Sequence, residues 1–323
     1  MMAVAPARVL IFGLGPIGIG IAQLCLERGH PLAGAVDVDP QKAGRPLSAL
    51  VPGAEGIAIE RTAERFLGAG VDVVLHSTQS RLAQVIPQLL PLLEAGLSVI
   101  STCEELAYPW HHHPAEAAHL DRVAKAHGVR LAGLGVNPGF VMDALPVVLT
   151  APCRSVRRIH VARVVDVGLR RVPLQRKVGV GMTVEAFARG VADGSMGHVG
   201  LPQSAAMIAA AMGWTLGGIE ESIEPEVDGA GAVRGLHQVC RGTRDGEAVV
   251  TLDLTMATGV AHPRDVIRID GVPAFETVID GGIHGDVATW SIAVNAIPAV
   301  LGAAPGLRVA TDLPAAVIRA ARG

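Results

Sequence analysis

The stretch Val9-Leu10-Ile11-Phe12-Gly13-Leu14-Gly15-Pro16-Ile17-Gly18, with Asp37 at the end of the next apolar run, decides the fold. Val9–Phe12 reads as a buried strand. Pro16–Arg28 reads as a helix closed by Gly29, with Pro at its first position, where a missing N–H costs nothing. Between them lies GxGxxG, in which Gly13 permits a tight turn, Gly15 lets backbone approach a pyrophosphate and Gly18 lets helix and strand pack closely. The pyrophosphate belongs on the helix N-terminus, where N–H groups and the dipole favour negative charge. Leu32–Val36 is the next strand, and Asp37, 19 residues after Gly18, is placed for the adenosine ribose hydroxyls. Gly13, Gly15, Pro16, Ile17, Gly18 and Asp37 are therefore candidate dinucleotide contacts. A carboxylate at Asp37 favours NAD by repelling a 2′-phosphate, whereas Lys42 and Arg45 follow closely and offer that phosphate a cation. The sequence leaves NAD or NADP open.

Further along, short β-branched runs alternate with helical patterns, the signature of βαβ units and a doubly wound parallel sheet. Val71–Leu75 ends in His76-Ser77-Thr78-Gln79-Ser80, Ser98–Ser101 ends in Thr102-Cys103-Glu104-Glu105, and Arg130–Gly133 leads to Asn137-Pro138-Gly139-Phe140. The helix after Ser80 contains Pro87 and Pro91 and is expected to break or kink. Ligands bind outside the carboxyl ends of such strands, so His76, Ser77, Thr78, Ser101, Thr102 and Asn137 join the cofactor candidates. A carboxylate at that edge accepts and returns protons during attack on a carbonyl and stabilises a cationic iminium. Glu104 is the first candidate for this role and Glu105 the second. An extended backbone cannot turn both into the cleft, which leaves the other as a helix-start carboxylate.

After Phe140 the pattern changes to an α+β domain. Val156–Val165, Ala248–Thr255, Val266–Asp270 and Phe275–Ile279 read as strands of an antiparallel or mixed sheet, with helices near Thr183–Ala192 and Gln203–Met212. The expected division is 1–140 for dinucleotide binding, 141–285 for substrate and dimerisation, and 286–323 returning to the first domain. Asp286 is read as the N-cap of a helix reaching Leu301.

Composition narrows the partners. Half of the 323 residues are apolar, and 27 basic side chains face 30 acidic ones for a net charge of −3. The charges form no block of one sign, so neither nucleic acid nor an anionic membrane is an expected partner. Gly13, Gly15, Pro16, Gly18 and Gly20 interrupt the apolar stretch from Val9 to Leu26, which reads as neither a span nor a leader; a cytoplasmic location is expected. Cys25, Cys103, Cys153 and Cys240 are too scattered for a disulfide framework. His111-His112-His113 point in different directions without spaced acidic or Cys partners, so no metal is expected.

Several segments together resemble one family: GLGPIG (13–18), VDVDP (36–40), STCEEL (101–106), GVNPGF (135–140), GHVGL (197–201) with Ser204, AHPRDVIRIDG (261–271), GGIHGD (281–286) and PGLRVATDLP (305–314). They resemble the 2,4-diaminopentanoate dehydrogenases and the related native amine dehydrogenases, whose nucleotide-binding half is similar to dihydrodipicolinate reductase. The resemblance covers nearly the whole chain. It implies NAD(P)-dependent, reversible deamination of an amine to a ketone plus ammonia by a homodimer, with the catalytic glutamate within the pair Glu104-Glu105, of which Glu104 is the first choice. It also implies Asn137, Phe140 and His262 as walls of a substrate pocket, with Arg163 and His198 as further candidates. The His-His pair, Lys and Ser-Gly-Thr of dihydrodipicolinate reductase itself are not found, which argues against an imine reductase of that type. Cys103 carries a rival reading, an acylating aldehyde or semialdehyde dehydrogenase with a thiol nucleophile. A third is a cofactor-sensing subunit without turnover. Tyr108, Trp110, Phe140 and Trp290, four of nine aromatics, fall in or after cleft segments, and Trp290 is added to the pocket for a compact, uncharged carbonyl substrate. A carboxylate on the substrate would need a cation such as Arg163, Arg170, Arg171 or Arg176.

Overall fold

The structure, a computed structural model, describes residues 6–68, 70–168, 172–315 and 317–318. The chain divides into two units, one formed by the part through Gly139 together with the part from Gly285 on, the other by Phe140–His284.

The first unit begins with β1 (Val9–Phe12), α1 (Pro16–Glu27), β2 (Leu32–Val36), β3 (Ile59–Glu60), β4 (Val73–His76), α2 (Leu82–Glu94), β5 (Ser98–Ser101), α3 (Pro114–Ala126) and β6 (Arg130–Gly133). These strands are parallel and ordered β3-β2-β1-β4-β5-β6. That is the doubly wound order of dinucleotide-binding folds, with the switch point between β1 and β4. Alternation sends Val9, Ile11, Val73 and Leu75 into a core shared with α1, and Leu10, Val74 and Val99 into a second core shared with α2 and α3. Both faces are covered, which is why the strands read as unbroken apolar runs.

The expected break in α2 does not occur, for the helix runs from Leu82 to Glu94 through both prolines. Pro87 and Pro91 lie with Ala83 on its exposed side, four residues apart. The carbonyls they leave unbonded, those of Ala83 and Pro87, therefore sit on the stripe that faces water, while Leu82, Val85, Leu89, Leu92 and Leu93 fill the core side.

The second unit contains α4 (Ala144–Leu149), β7 (Ser155–Asp166), α5 (Val172–Lys177), α6 (Val184–Ala192), α7 (Leu201–Ala211), β8 (Gly218–Val227), β9 (Val233–Arg244), β10 (Glu247–Ala257), β11 (Arg264–Val272) and β12 (Phe275–Asp280). Its mixed sheet has the order β12-β11-β7-β10-β9-β8, with β7 and β10 parallel and the other pairs antiparallel. Helix α7, buried from Leu201 through Ala209, lies on β8, β9 and β10. Strands β8 and β9 are absent from the sequence reading. β8 is an edge strand carrying Glu220, Glu221, Glu224 and Pro225, the residues with which exposed edges are blunted and which disguise them as loops.

The chain then returns to the first unit as α8 (Gly285–Asn295), α9 (Ile297–Gly302) and β13 (Gly306–Arg308). β13 pairs in parallel with β6 as a seventh strand. Asp286 lies inside the first turn of α8 and is not its N-cap, and the helix does not run unbroken to Leu301. Pro298 lacks the N–H that would bond the carbonyl of Val294, so the helix restarts at Ile297.

Candidate active site

The three glycines of the first motif differ in what surrounds them. Gly13 has φ +94°, and a methyl group on it would lie 2.4 Å from the carbonyl oxygen of Ser77. One on Gly18 would lie 1.8 Å from the carbonyl oxygen of Gly13. A methyl group on Gly15 would meet nothing within 4 Å, and Gly15 starts α1 without a side-chain cap. Space opens in front of Gly15 where an anion would meet the first turn of α1, with Pro16, Ile17 and Gly18 behind it. This fits a dinucleotide pyrophosphate.

Asp37 closes the ribose end. Its Oδ2 accepts the backbone N–H of Leu14 at 2.8 Å, its Oδ1 accepts that of Asp39 at 2.9 Å, and Lys42 Nζ lies 3.1 Å from Oδ2. Burial opposes ionisation, but the N–H groups of Asp39 and Leu14 and the Lys42 ammonium outweigh it and hold the carboxyl below its usual range. Lys42 also pairs with Asp39. The carboxylate is fixed in place and the cation beside it is partly exposed.

Beneath the β4 and β5 ends lies a closed polar network. His76 is wholly buried; its Nδ1 is 2.9 Å from Ser101 Oγ and its Nε2 2.8 Å from Gln88 Oε1. Thr78 donates to the same Gln88 oxygen, and Ser101 Oγ accepts the backbone N–H of Cys103. These partners assign the proton to Nε2 and the acceptor role to Nδ1. Burial pushes the His76 pKa down to about 4 against the bond from Gln88, so the ring is neutral at physiological pH. The imidazole of His76 and the hydroxyl of Ser101 thus face the protein interior and not the cofactor edge, and Thr78 hydrogen-bonds into the same network. Ser77 Oγ bonds the carbonyl of Gly13, and the N–H of Thr102 bonds that of His76.

The adjacent carboxylates after β5 have separate environments. Glu105 is buried; Arg81 donates to Oε1 at 2.8 Å, the backbone N–H of Leu82 to Oε2 at 2.7 Å, and His113 Nε2 lies 3.2 Å from Oε2. Burial opposes its ionisation, but Arg81, the Leu82 N–H and His113 hold its carboxyl below the usual range. Glu104, half-buried, has helical dihedrals of −63° and −42° and begins the 3₁₀ turn Glu105–Ala107. That turn rests directly on β6, since a methyl group on Gly133 would lie 2.4 Å from the carbonyl carbon of Leu106. Cys103 is buried, its thiol bonded to the carbonyl of Ser80 and pushed up to about 12 by burial, the opposite of what a nucleophile needs.

Asn137 is buried in the loop after β6, where Gly139 packs its backbone against Gly135. Trp290 lays its ring on Gly20 of α1, and Trp110 packs against the α2–α3 core, so both aromatics serve packing within the first unit. Among the described residues no group of three His, Cys, Asp or Glu is placed to hold a metal ion, and no helix is long and apolar enough to cross a membrane.

The remaining candidates belong to the second unit. Phe140 is partly exposed and its carbonyl accepts the N–H of Leu145. Arg163 is 4% exposed and sits directly opposite Asp265 on β11, 3.1 Å away, with Ile283 supplying both a carbonyl for the arginine and an N–H for the aspartate. The backbone of His198 is held at both ends by the buried carboxamide of Gln238, which accepts its N–H and donates to its carbonyl, each at 2.8 Å. His262 is exposed. Ser204 donates to Asp143 at 2.7 Å, both wholly buried, and Asp143 caps α4. Arg170 and Arg171 lie outside the described residues, and Arg176 is exposed. Gln88, Arg81, Gln238 and Asp265 had no signal in the sequence, because each acts through a partner distant along the chain.

Comparison with known proteins places this arrangement. Residues 140–322 match the family profile described as the 2,4-diaminopentanoate dehydrogenase C-terminal domain. The chain is also 33% identical to the 2,4-diaminopentanoate dehydrogenase of Acetoanaerobium sticklandii over 95% of its own length and 93% of that protein's. The chain belongs to the 2,4-diaminopentanoate dehydrogenase family. With that membership it is a nicotinamide-dependent oxidoreductase of the amine dehydrogenase kind, as the motifs implied, and the acylating reading of Cys103 falls away. The fold is shared across 97% of both chains with an amine dehydrogenase from Mycobacterium smegmatis at a TM-score of 0.86 and 23% identity. A more distant likeness, TM-score 0.55 and 16% identity over 87% of this chain and 74% of the other, is to GenD2 from gentamicin A biosynthesis, solved with NAD.

Proposed function

We propose that the chain converts an amine reversibly to a ketone or aldehyde plus ammonia, with Glu104 moving the protons. The observation that carries this role is the division of labour between the two carboxylates: Glu105 is buried under Arg81, Leu82 and His113, whereas Glu104 begins the same turn half-buried. The bound dihydronicotinamide would supply the hydride. Gly13, Gly15, Pro16, Ile17 and Gly18 would hold its pyrophosphate, Asp37 its ribose, and Ser77, Thr78, Thr102 and Asn137 the loops beside the ring. In amination, Glu104 takes a proton from the ammonium, freeing the amine to attack the carbonyl. It then protonates the carbinolamine hydroxyl, which leaves as water. The resulting iminium cation is held by the ionised carboxylate while hydride arrives.

Either dinucleotide suits the ribose end. Asp37 is placed for the diol of NAD, and Lys42 supplies a cation for the phosphate of NADP. A homodimer, implied by the family resemblance, is proposed; light scattering gives the mass in solution. Trp290 and Trp110 are engaged in packing, so the aromatic support for an uncharged carbonyl substrate reduces to Phe140 and Tyr108. The test is consumption of NADH and NADPH with ketones and aldehydes, with and without a carboxylate, in the presence and absence of ammonium. Oxidation that requires ammonium and is lost in Glu104→Gln, with dinucleotide binding retained, is expected. Equal oxidation without ammonium would overturn the reading.

A further inference from the structure

Glu105 joins parts of the first unit that are distant in sequence. Its carboxylate receives Arg81 and the first N–H of α2 from the loop after β4, and His113 from the loop before α3. Helix α2 begins at Arg81 without a side-chain cap of its own, so Glu105 caps it from across the sheet edge. The backbone N–H of Glu105 and the thiol of Cys103 both bond the carbonyl of Ser80, which draws the same two loops together. On the other side Gly133 admits the turn against β6 with no side chain between them.

The turn that starts at Glu104 is thus held on two sides, on one by the bonds of Glu105, the residue that follows it, and on the other by the backbone of Leu106 against Gly133. With Glu104 in helical dihedrals and Glu105 anchored by its carboxylate, the bonds of Glu105 help to fix the direction in which the Glu104 side chain leaves the backbone. We propose that Glu105 is a positioning residue that acts through Glu104, with Arg81 and His113 as its supports. This rests on the assignment of proton transfer to Glu104. It also gives His113, the last residue of the histidine run, a role that metal binding does not provide.

A misplacement of about 1 Å in a proton-transferring group costs up to about 100-fold in rate without weakening the binding of groups held elsewhere. The experiment measures kcat, KM for ammonium and dinucleotide Kd for Glu105→Gln, His113→Ala, His113→Gln and Glu104→Gln, with thermal melting as a control. Glu105→Gln is expected to lower kcat by about 10- to 100-fold with the dinucleotide Kd within about twofold. His113→Ala is expected to lower kcat by about three- to tenfold, and His113→Gln, which restores a donor, to recover most of it. Wild-type kcat in Glu105→Gln, or a loss that tracks dinucleotide Kd alone, overturns the inference and leaves Glu104 in its role. Should Glu105→Gln fail to fold, equal kcat in the two His113 variants overturns it. Full activity in Glu104→Gln, with none in folded Glu105→Gln, would instead overturn the assignment to Glu104.

Discussion

His76 Nδ1 lies 2.9 Å from the hydroxyl of Ser101, so the ends of β4 and β5 are joined through an imidazole that solvent does not reach. The join requires a neutral ring. In the unfolded chain His76 binds a proton below about pH 6.5, while in the fold burial delays this to about 4. The unfolded state therefore holds more protons between these values. Stability present above pH 6.5 is lost as pH falls toward 4, by about 3 kcal/mol in all. Thermal melting of the wild type and of His76→Gln across this window should show a steeper acid loss in the wild type. Parallel curves would refute the neutral ring.

Glu105 governs a lower window. Its carboxyl is held below the usual range, so its contribution is complete above the unfolded value of about 4.3 and disappears as pH falls through the folded value. Glu105→Gln should flatten the stability curve below pH 4.5 while leaving the His76 window intact, and should cost about 1–3 kcal/mol at neutral pH. A neutral-pH melting temperature equal to that of the wild type would contradict the bonds described.

Gly15 and Gly18 separate binding from folding. Gly15→Ala meets nothing within 4 Å in the protein and should melt as the wild type does, while a methyl group against the pyrophosphate weakens dinucleotide binding by about tenfold or more, about 1.4 kcal/mol. Gly18→Ala drives its methyl group into the carbonyl of Gly13 and should destabilise the apo protein. Calorimetry for binding and melting for stability give the two readouts; the same ranking in both would count against the assignment.

Lys42 should tune the choice of dinucleotide. Lys42→Ala removes the cation beside Asp37 and is expected to raise KM for NADPH by about tenfold while changing KM for NADH by less than about threefold. Equal changes in both would show that Lys42 does not read the ribose.

Arg163 should behave as a structural charge. With Asp265 directly opposite and both side chains buried, Arg163→Met should cost about 3–5 kcal/mol by leaving the aspartate unpaired. A rise in KM for carboxylate-bearing substrates in a fully stable variant would show that the arginine serves substrate instead.

The doubly wound unit was legible because its signals are local: the glycine turn, the strand before it, the helix after it and Asp37 fall within a short run. His76, expected among the cofactor contacts, turns inward instead, and a local signal for this was present. At period two it shares the face of Val74, which packs toward α2, and so its ring turns inward although it stands at a strand's carboxyl end. What was not legible depended on distant partners. The prolines of α2 cannot announce that their unbonded carbonyls will face water, nor can Glu221 and Pro225 announce that β8 lies at an edge. Glu104 and Glu105 are neighbours in sequence and chemically alike. Only Arg81, Leu82 and His113, brought together by the sheet, distinguish them.

The pairing of β13 with β6 also has a bearing on biosynthesis. A ribosome that has finished Gly133 must add the whole second unit before Gly306 emerges, a delay of roughly 10–30 s at about 5–20 residues per second. Throughout it the outer edge of β6 lacks its parallel neighbour. An unpaired apolar edge is a template for another chain, so nascent copies on neighbouring ribosomes are exposed to one another at this edge until the last strand arrives.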